Sequence, residues 1–446
     1  MKSYTVLIAI VAALGGLLFG FDTAVIAGSL QYLKPFFHLN NTEEGLVVAA
    51  TSIGCIPGAL FAGSLADKFG RKKMMIVTSL LYVVASLGSG IAGSFEQLIA
   101  YRFIGGIAIG MASALIPIYI SEIAPPAFRG RLGMLQQLAI VSGILLSSVS
   151  NYLIVKSGFH FLNNENYWRY MLAAAVIPSI IFFILLLFVP ESPRWLVAKN
   201  KLAKAQKIFG DIYSDDESLE QVNMVQQNIA SESAPALSDV FTPRFKKVLI
   251  IGFVFASVAQ LTGINLIFYY APLIFEKTHV GLSPLEQTIL ADGVNLLFTV
   301  VAFWLIDRIG RKKLLLTGSA IMGVCMLTLA ALFYLNLLQN YFVLITIFVY
   351  IAGFASTWGV VLWVYVAEIF PNKIRGTATS IAVCGNWVAN SIVVATFPSM
   401  LAQFGAVATF GIYAVINLSM ILFTMRYVFE TKGVPLEKIE ELYTQV

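Results

Sequence analysis

Asp22, in Gly20-Phe21-Asp22-Thr23-Ala24-Val25-Ile26, stands deep inside the first long apolar run of the chain. As helix, at ~1.5 Å per residue, it lies ~25 Å from the start of that run. A carboxylate in such surroundings is costly and by default suggests function. Only one other charge is read well inside an apolar run, Arg102, near the outer end of the fourth, and helix direction places the two in the same half of the membrane. A neighbouring cation favours a charged carboxylate, whereas parting the pair or drying the site favours the protonated form, so the pair can couple a proton to movement. A permanent structural ion pair is the plainer alternative. A second set is neutral. It comprises Gln260 and Asn265 in AQLTGINLIFYY with Tyr269 and Tyr270, Asn295, Trp363 in LWVYVAEIF, and Asn386, Trp387 and Asn390 in GNWVANS. Amides supply donors and acceptors for hydroxyls, and aromatic faces cover C–H surfaces, which suits a neutral hydroxyl-rich ligand in a dry site. For any one amide, hydrogen bonding between helices, worth on the order of 1 kcal/mol, is the alternative.

A third set pairs acid with base at the ends of apolar runs: Asp67, Arg71, Glu122, Arg129, Glu191 and Arg194, then Asp307, Arg311, Glu368, Arg375 and Glu430. Such charges can tie neighbouring helices in one state and part in another, which makes a gate on the cytoplasmic side; anchoring of helix ends is the alternative. Cys55, Cys325 and Cys384 fall inside apolar runs without metal-ligand spacing and read as packing residues, and His38, His160 and His279 are far apart. No metal and no cofactor is expected. G-x-x-x-x-G-K-[ST] occurs nowhere, which disfavours an ATP-driven pump.

The elements that position these groups follow from composition. The 446 residues are 58% hydrophobic and 12% charged, with a mean hydropathy of +0.82, where a soluble domain is about a quarter charged. Continuous apolar runs of about twenty residues predict membrane-spanning helices rather than the alternating strands of a barrel. Twelve are expected, near 5–31, 45–65, 74–93, 97–120, 134–155, 168–189, 247–275, 286–306, 314–336, 341–366, 376–400 and 406–428. The first is too long for a signal segment and has no small-residue cleavage site. Of the 29 Lys and Arg, 24 lie in the termini and every second loop; Lys34, Lys156, Arg169 and Lys277 lie on the other side and Arg102 within a span. The positive-inside rule then puts both termini and the basic loops in the cytoplasm.

The expected organisation is a six-helix bundle over 1–190, a cytoplasmic linker over 191–246, a second six-helix bundle over 247–428 and a tail helix over 429–446 opened by Pro435. In the linker, Lys199, Lys201, Lys204 and Lys207 beside Trp195, Leu196, Ala203 and Ile208 predict an amphipathic surface helix over 193–209, with a second over about 215–230. The two bundles repeat. GSLADKFGRKK at 63–73 returns as FWLIDRIGRKK at 303–313, SEIAPPAFRG at 121–130 as AEIFPNKIRG at 367–376, and Glu191 of PESPR as Glu430 of FETKG. Gly20-Phe21-Asp22 aligns with Gly263-Ile264-Asn265, an acid where the second half has an amide. Transporters built from two such halves hold substrate between them and alternate access by rocking. Gly263 and Gly359 can each break a helix there or serve close packing, and Gly106-x-x-x-Gly110 reads as close packing alone.

D-x-x-G-R-K-K after the second and eighth spans is the signature of the major facilitator superfamily, and PESPR with FETKG resembles its sugar porter family. Within that family the chain resembles bacterial glucose:proton symporters of the GlcP type. The resemblance implies that Gln137, Gln260, Asn265, Asn295, Trp363, Asn386 and Asn390 contact sugar, with Trp387 shaping the pocket. It also implies that Asp22, present in symporters and not in passive carriers, couples the proton. Phe429 stands where the family carries Pro, and Ala259 replaces a Gln that commonly touches sugar, which leaves exact specificity open. The expectation is a monomeric, multi-pass protein of the cell membrane, not an enzyme and with no nucleic-acid partner, importing a hexose such as D-glucose with protons. A facilitative uniporter, or a symporter for xylose or galactose, remains the alternative. A sugar sensor is disfavoured by the short tails, and drug efflux by the amide-rich second half.

Overall fold

A bilayer offers no water to backbone N–H and C=O groups, and apolar runs of this length satisfy them within themselves only as helices. The computed structural model describes residues 2–125, 128–157, 166–213, 215–231, 241–278, 280–338, 341–371 and 374–432. In the first half the spans are α1 (Ser3–Phe36), α2 (Asn41–Phe69), α3 (Arg71–Ile91), α4 (Phe95–Ile123), α5 (Arg129–Lys156) and the pair α6 (Tyr167–Ala174) and α7 (Val176–Phe188). Three short helices follow: α8 (Pro193–Ala198), α9 (Leu202–Ile212) and α10 (Asp215–Ser231). The second half comprises α11 (Pro243–Leu261), α12 (Ile264–Phe275), α13 (Pro284–Ile309), α14 (Arg311–Tyr334), α15 (Phe342–Ala355), α16 (Trp358–Ile369) and α17 (Arg375–Tyr427).

The 53 residues of α17 would reach ~80 Å if straight, more than twice the ~30 Å of a bilayer core. Gly405, at φ 75° and ψ 170°, breaks the run, so it supplies the eleventh and twelfth spans. The same local devices recur in both halves. Asn40 and Glu43 form a capping box that starts α2, and Ser283 and Glu286 form one that starts α13. Gly70 and Gly310, both at positive φ, turn the chain into α3 and α14. Each turn is closed by an acid from far along the chain: Glu191 accepts from the Lys72 amide at 3.0 Å, and Glu430 from the amides of Arg311 and Lys312 at 2.9 and 3.1 Å.

Within the first half α2 packs on α4 and α1 on α5; within the second, α17 packs on α11 and α14. The halves meet along α2 with α17, α5 with α13 and α1 with α12. Gly106 and Gly110 let α4 approach α2 so closely that a Cβ at either would strike the backbone carbonyls of Thr51 or Cys55, the packing role expected of them. Apolar side chains such as Phe61, Ile91, Ile177, Phe188, Leu297 and Leu422 face outward, as lipid requires.

Two expectations change in the linker and at the tenth span. The segment 193–209 is not one surface helix. It is split between α8 and α9, whose Trp195, Leu196, Ala205 and Phe209 bury against Val222 of α10 in a small core, while Ala203 is exposed. The break in the tenth span falls at Ser356-Thr357, with Thr357 at φ −132° and ψ −92°, and Gly359 lies inside α16. The expected tail helix falls on 433–446, outside the described residues, and 429–432 is not helical.

Candidate functional site

On α1, Asp22 faces α4 and meets Arg102, whose Nη1 stands 3.5 Å from Asp22 Oδ2. That is long against the ~2.7–2.9 Å of a tight charge-assisted bond. Arg102 also donates through Nε to the Val47 carbonyl at 3.4 Å, and its buried Nη2 has no hydrogen-bond partner among the described residues. The Arg102 side chain is 1% exposed and that of Asp22 14%, so the cation is the more enclosed partner. Its spare donor leaves the pair loose. The hydroxyl of Tyr82, buried close by, is likewise without a partner among the described residues.

The neutral set comes together in one cavity between the halves. Gln137 of α5, Gln260 of α11, Asn265 of α12, Asn295 of α13, Trp363 of α16 and Asn386 and Asn390 of α17 all line it. The amides bond one another. Gln260 Nε2 donates to Asn386 Oδ1 at 2.7 Å, and Asn265 Nδ2 donates to both Gln260 Oε1 and Asn390 Oδ1, the latter at 2.7 Å. Asn390 Nδ2 reaches across to Ser52 Oγ of α2 at 2.8 Å. Phe19, Thr23, Tyr269 and Trp387 complete the wall, with the Phe19 and Trp387 rings 5.5 Å apart across the halves. Tyr270 instead donates to the Val394 carbonyl at 2.9 Å, and Ala259 is buried away from the cavity.

Gln260 and Asn265 reach the same space because the seventh span breaks between them. Gly263 takes φ +89°, a left-handed conformation that glycine adopts without a Cβ penalty. The carbonyl freed at Thr262 accepts from Tyr350 Oη at 2.8 Å and Asn417 Nδ2 at 2.9 Å, two buried side chains from α15 and α17. The break is thus satisfied by tertiary partners.

A sequence match to the family described as sugar (and other) transporter runs over residues 8–443. The arabinose-proton symporter of Bacillus subtilis is 38% identical over 99% of this chain and 95% of its own length. The glucose transporter GlcP of Staphylococcus epidermidis is 35% identical over 99% and 97%. This chain is a member of the sugar transporter family. Its fold is the major facilitator fold of that family: the xylose transporter XylE of Escherichia coli, in a partially occluded inward open conformation, superposes with a TM-score of 0.88 at 35% identity, over 97% of this chain and all of that one.

In this sugar transporter the acid–base set sits where the repeat places it, but its links run within each half. Arg71 pairs with Glu122 at 3.1 Å and Asp67 at 2.8 Å; Arg311 pairs with Glu368 at 2.9 Å and Asp307 at 3.7 Å. Arg194 lies close enough to act on Glu122 electrostatically. The side chains of Arg129 and Arg375 are outside the described residues. Among the described residues no ion pair on the basic-loop face joins the halves, and a Cβ at Gly130, Gly133 or Gly376 would meet nothing.

The opposite face is joined. A Cβ at Gly45 of α2 would collide with the Ala395 carbonyl of α17, Ser148 of α5 donates to Asp292 of α13 at 2.5 Å, and Tyr152 donates to Glu286 at 3.0 Å. Asp292 corrects the sequence reading that Arg102 was the one other charge deep in a span, for it is a carboxylate within the eighth, 2% exposed. The chain alone does not single it out, because Glu286 and the polar start of that span blur where the membrane begins. Ser52 and Thr23 were also missed; small hydroxyls are common in membrane helices and leave no periodic trace. His160 and His279 lie outside the described residues.

Proposed function

We propose that this sugar transporter is a proton-coupled symporter that imports a hexose, D-glucose foremost, by alternating access between the halves 1–190 and 247–428. The observation that carries the reading is the division of labour on α1. Phe19 and Thr23 line a cavity of neutral amides and aromatics, while Asp22, on the adjoining helix face, meets the buried Arg102. The named activities of the arabinose-proton symporter and of GlcP support sugar as cargo and the proton as driver.

In this reading the sugar transporter acts as a monomer in the cell membrane, with both termini and the basic loops in the cytoplasm. With the opposite face open, Asp22 takes a proton, and its charge no longer opposes that of Arg102. Sugar hydroxyls then replace the amide–amide bonds of Gln260, Asn265, Asn386 and Asn390, and the halves close over the cargo. On the basic-loop side the acid–base clusters hold each half as a rigid unit, so the halves rock as wholes. Sugar leaves first and the proton follows as Arg102 draws Asp22 back to its charged form.

Proteoliposomes with an imposed proton gradient provide the test. Concentrative glucose uptake should collapse with a protonophore. Asp22→Asn should abolish accumulation and retain sugar exchange at equal concentrations. Accumulation that survives the protonophore sinks proton coupling, an Asp22→Asn protein that still accumulates sinks the role of Asp22, and uptake that only equilibrates despite the proton gradient leaves the uniporter. Competition of glucose exchange by xylose, arabinose, galactose and fructose identifies the cargo.

A further inference from the structure

Asp292 belongs neither to the cavity wall nor to the Asp22–Arg102 pair. Its Oδ2 accepts from Ser148 Oγ at 2.5 Å, and Ser148 is itself 3% exposed. Its place along the helix is informative. Asp292, Asn295 and Thr299 share one face of α13, and the latter two line the cavity. On α5, Gln137, Val141 and Ile144 line the same cavity, and Ser148 follows Ile144 by one turn. The Asp292–Ser148 bond therefore joins the two halves just beyond the closed end of the cavity.

The charge around it is sparse. Its own helix carries Glu286, which takes the Tyr152 hydroxyl, and Lys156 of α5 lies over the Tyr152 ring. Past the end of α12 come Glu276 and Lys277; α15 brings Tyr350, bonded to Thr262; Cys325 of α14 is buried, and Tyr334 at its end is exposed; Tyr365 and Glu368 of α16 lie toward the basic-loop face. Among the described residues none of these forms an ion pair or hydrogen bond with Asp292, whose one partner is Ser148. A charged carboxylate held there by one hydroxyl and no cation is costly.

We propose that Asp292 is a second proton-binding group of the cycle, a latch that holds the far end of the cavity shut through Ser148 while neutral and releases it when ionised. This rests on the alternating-access reading above. As the halves part, water reaches the carboxyl, its O–H proton passes to that water, and the hydrated charge keeps the path open. A proton returning from the same side restores the neutral acid before closure. The group therefore regulates opening and adds nothing to the number of protons carried with sugar.

Ile144→Cys, on the cavity wall, reports that opening to a membrane-impermeant maleimide added from the face opposite the basic loops. In this parent, labelling should quicken several-fold from the acid to the alkaline end of a pH titration on that side, as the carboxyl gives its proton to water. Adding Asp292→Asn, which keeps the acceptor and cannot ionise, should leave labelling slow and flat with pH. Adding Ser148→Ala should make it fast at every pH. Asp292→Asn labelling that follows the parent's pH dependence overturns the latch alone, since labelling reads opening whether or not sugar movement is proton-driven. A parent that is never labelled from that side overturns the alternating-access reading and the latch together. A single symmetric peak in size-exclusion chromatography and an unchanged thermal unfolding midpoint in detergent show that each variant is folded.

Discussion

The amides of the cavity satisfy one another, with Asn265 bridging Gln260 and Asn390. A sugar exchanges these bonds for its own, so its affinity depends on how many partners it leaves unpaired. Asn265→Ala removes the bridge and strands two acceptors, and at about 1–3 kcal/mol for such groups it should weaken glucose binding by about tenfold or more, read by calorimetric titration. At the ion pair the asymmetry is sharper. Asp22→Ala leaves the Arg102 charge buried with the Val47 carbonyl as its main acceptor, and should lower unfolding stability in detergent by about 3–5 kcal/mol. Adding Arg102→Met should recover part of that loss, because the stranded charge is gone. An additive double variant would show that the pair is not coupled.

At the scale of elements, breaks matter as much as helices. Gly263 is at φ +89°, and a Cβ there would stand 2.9 Å from the Tyr413 ring. Gly263→Val should cost about 1–3 kcal/mol and slow sugar exchange, because the strain falls where Gln260 and Asn265 converge. Gly293 lies in the helical run of α13, and a Cβ there would meet nothing within 4 Å. Gly293→Ala should therefore leave exchange intact and stabilise by about 0.4–1 kcal/mol in thermal unfolding. The chain left Gly263 open between a helix break and close packing of a small residue, and its left-handed conformation decides for the break. The break in the tenth span was misplaced by sequence onto Gly359, because the bend at Thr357 is imposed by packing: its hydroxyl returns to the Gly353 carbonyl, and Trp358 anchors to Leu315 and Ser319 of α14.

For the whole molecule, one face is sealed by contacts between halves, while the ion pairs described on the other close within each half. Gly45 is the tightest test of that seal. Gly45→Leu cannot seat against Ala395 in this arrangement, so it should favour the state open on the opposite face. Maleimide labelling of Ile144→Cys from that side should rise, while net uptake falls. Unchanged labelling would show that the α2–α17 approach does not set the balance between states.

Apolar run length, the charge bias of alternate loops and the doubled D-x-x-G-R-K-K were enough to read twelve helices in two related halves from the chain alone. They suffice because a bilayer imposes span length and helical hydrogen bonding locally, residue by residue. Six of the seven residues proposed for sugar stand out in the chain because amides and tryptophan are conspicuous in apolar sequence, and Gln137 is added by the family resemblance. That they share one cavity, that Ser52 ties into it, that the acid–base clusters close within halves, and that Asp292 meets Ser148 were settled only by folding. Each joins groups up to hundreds of residues apart, through helix rotation and crossing, and such contacts leave no period or spacing in the chain.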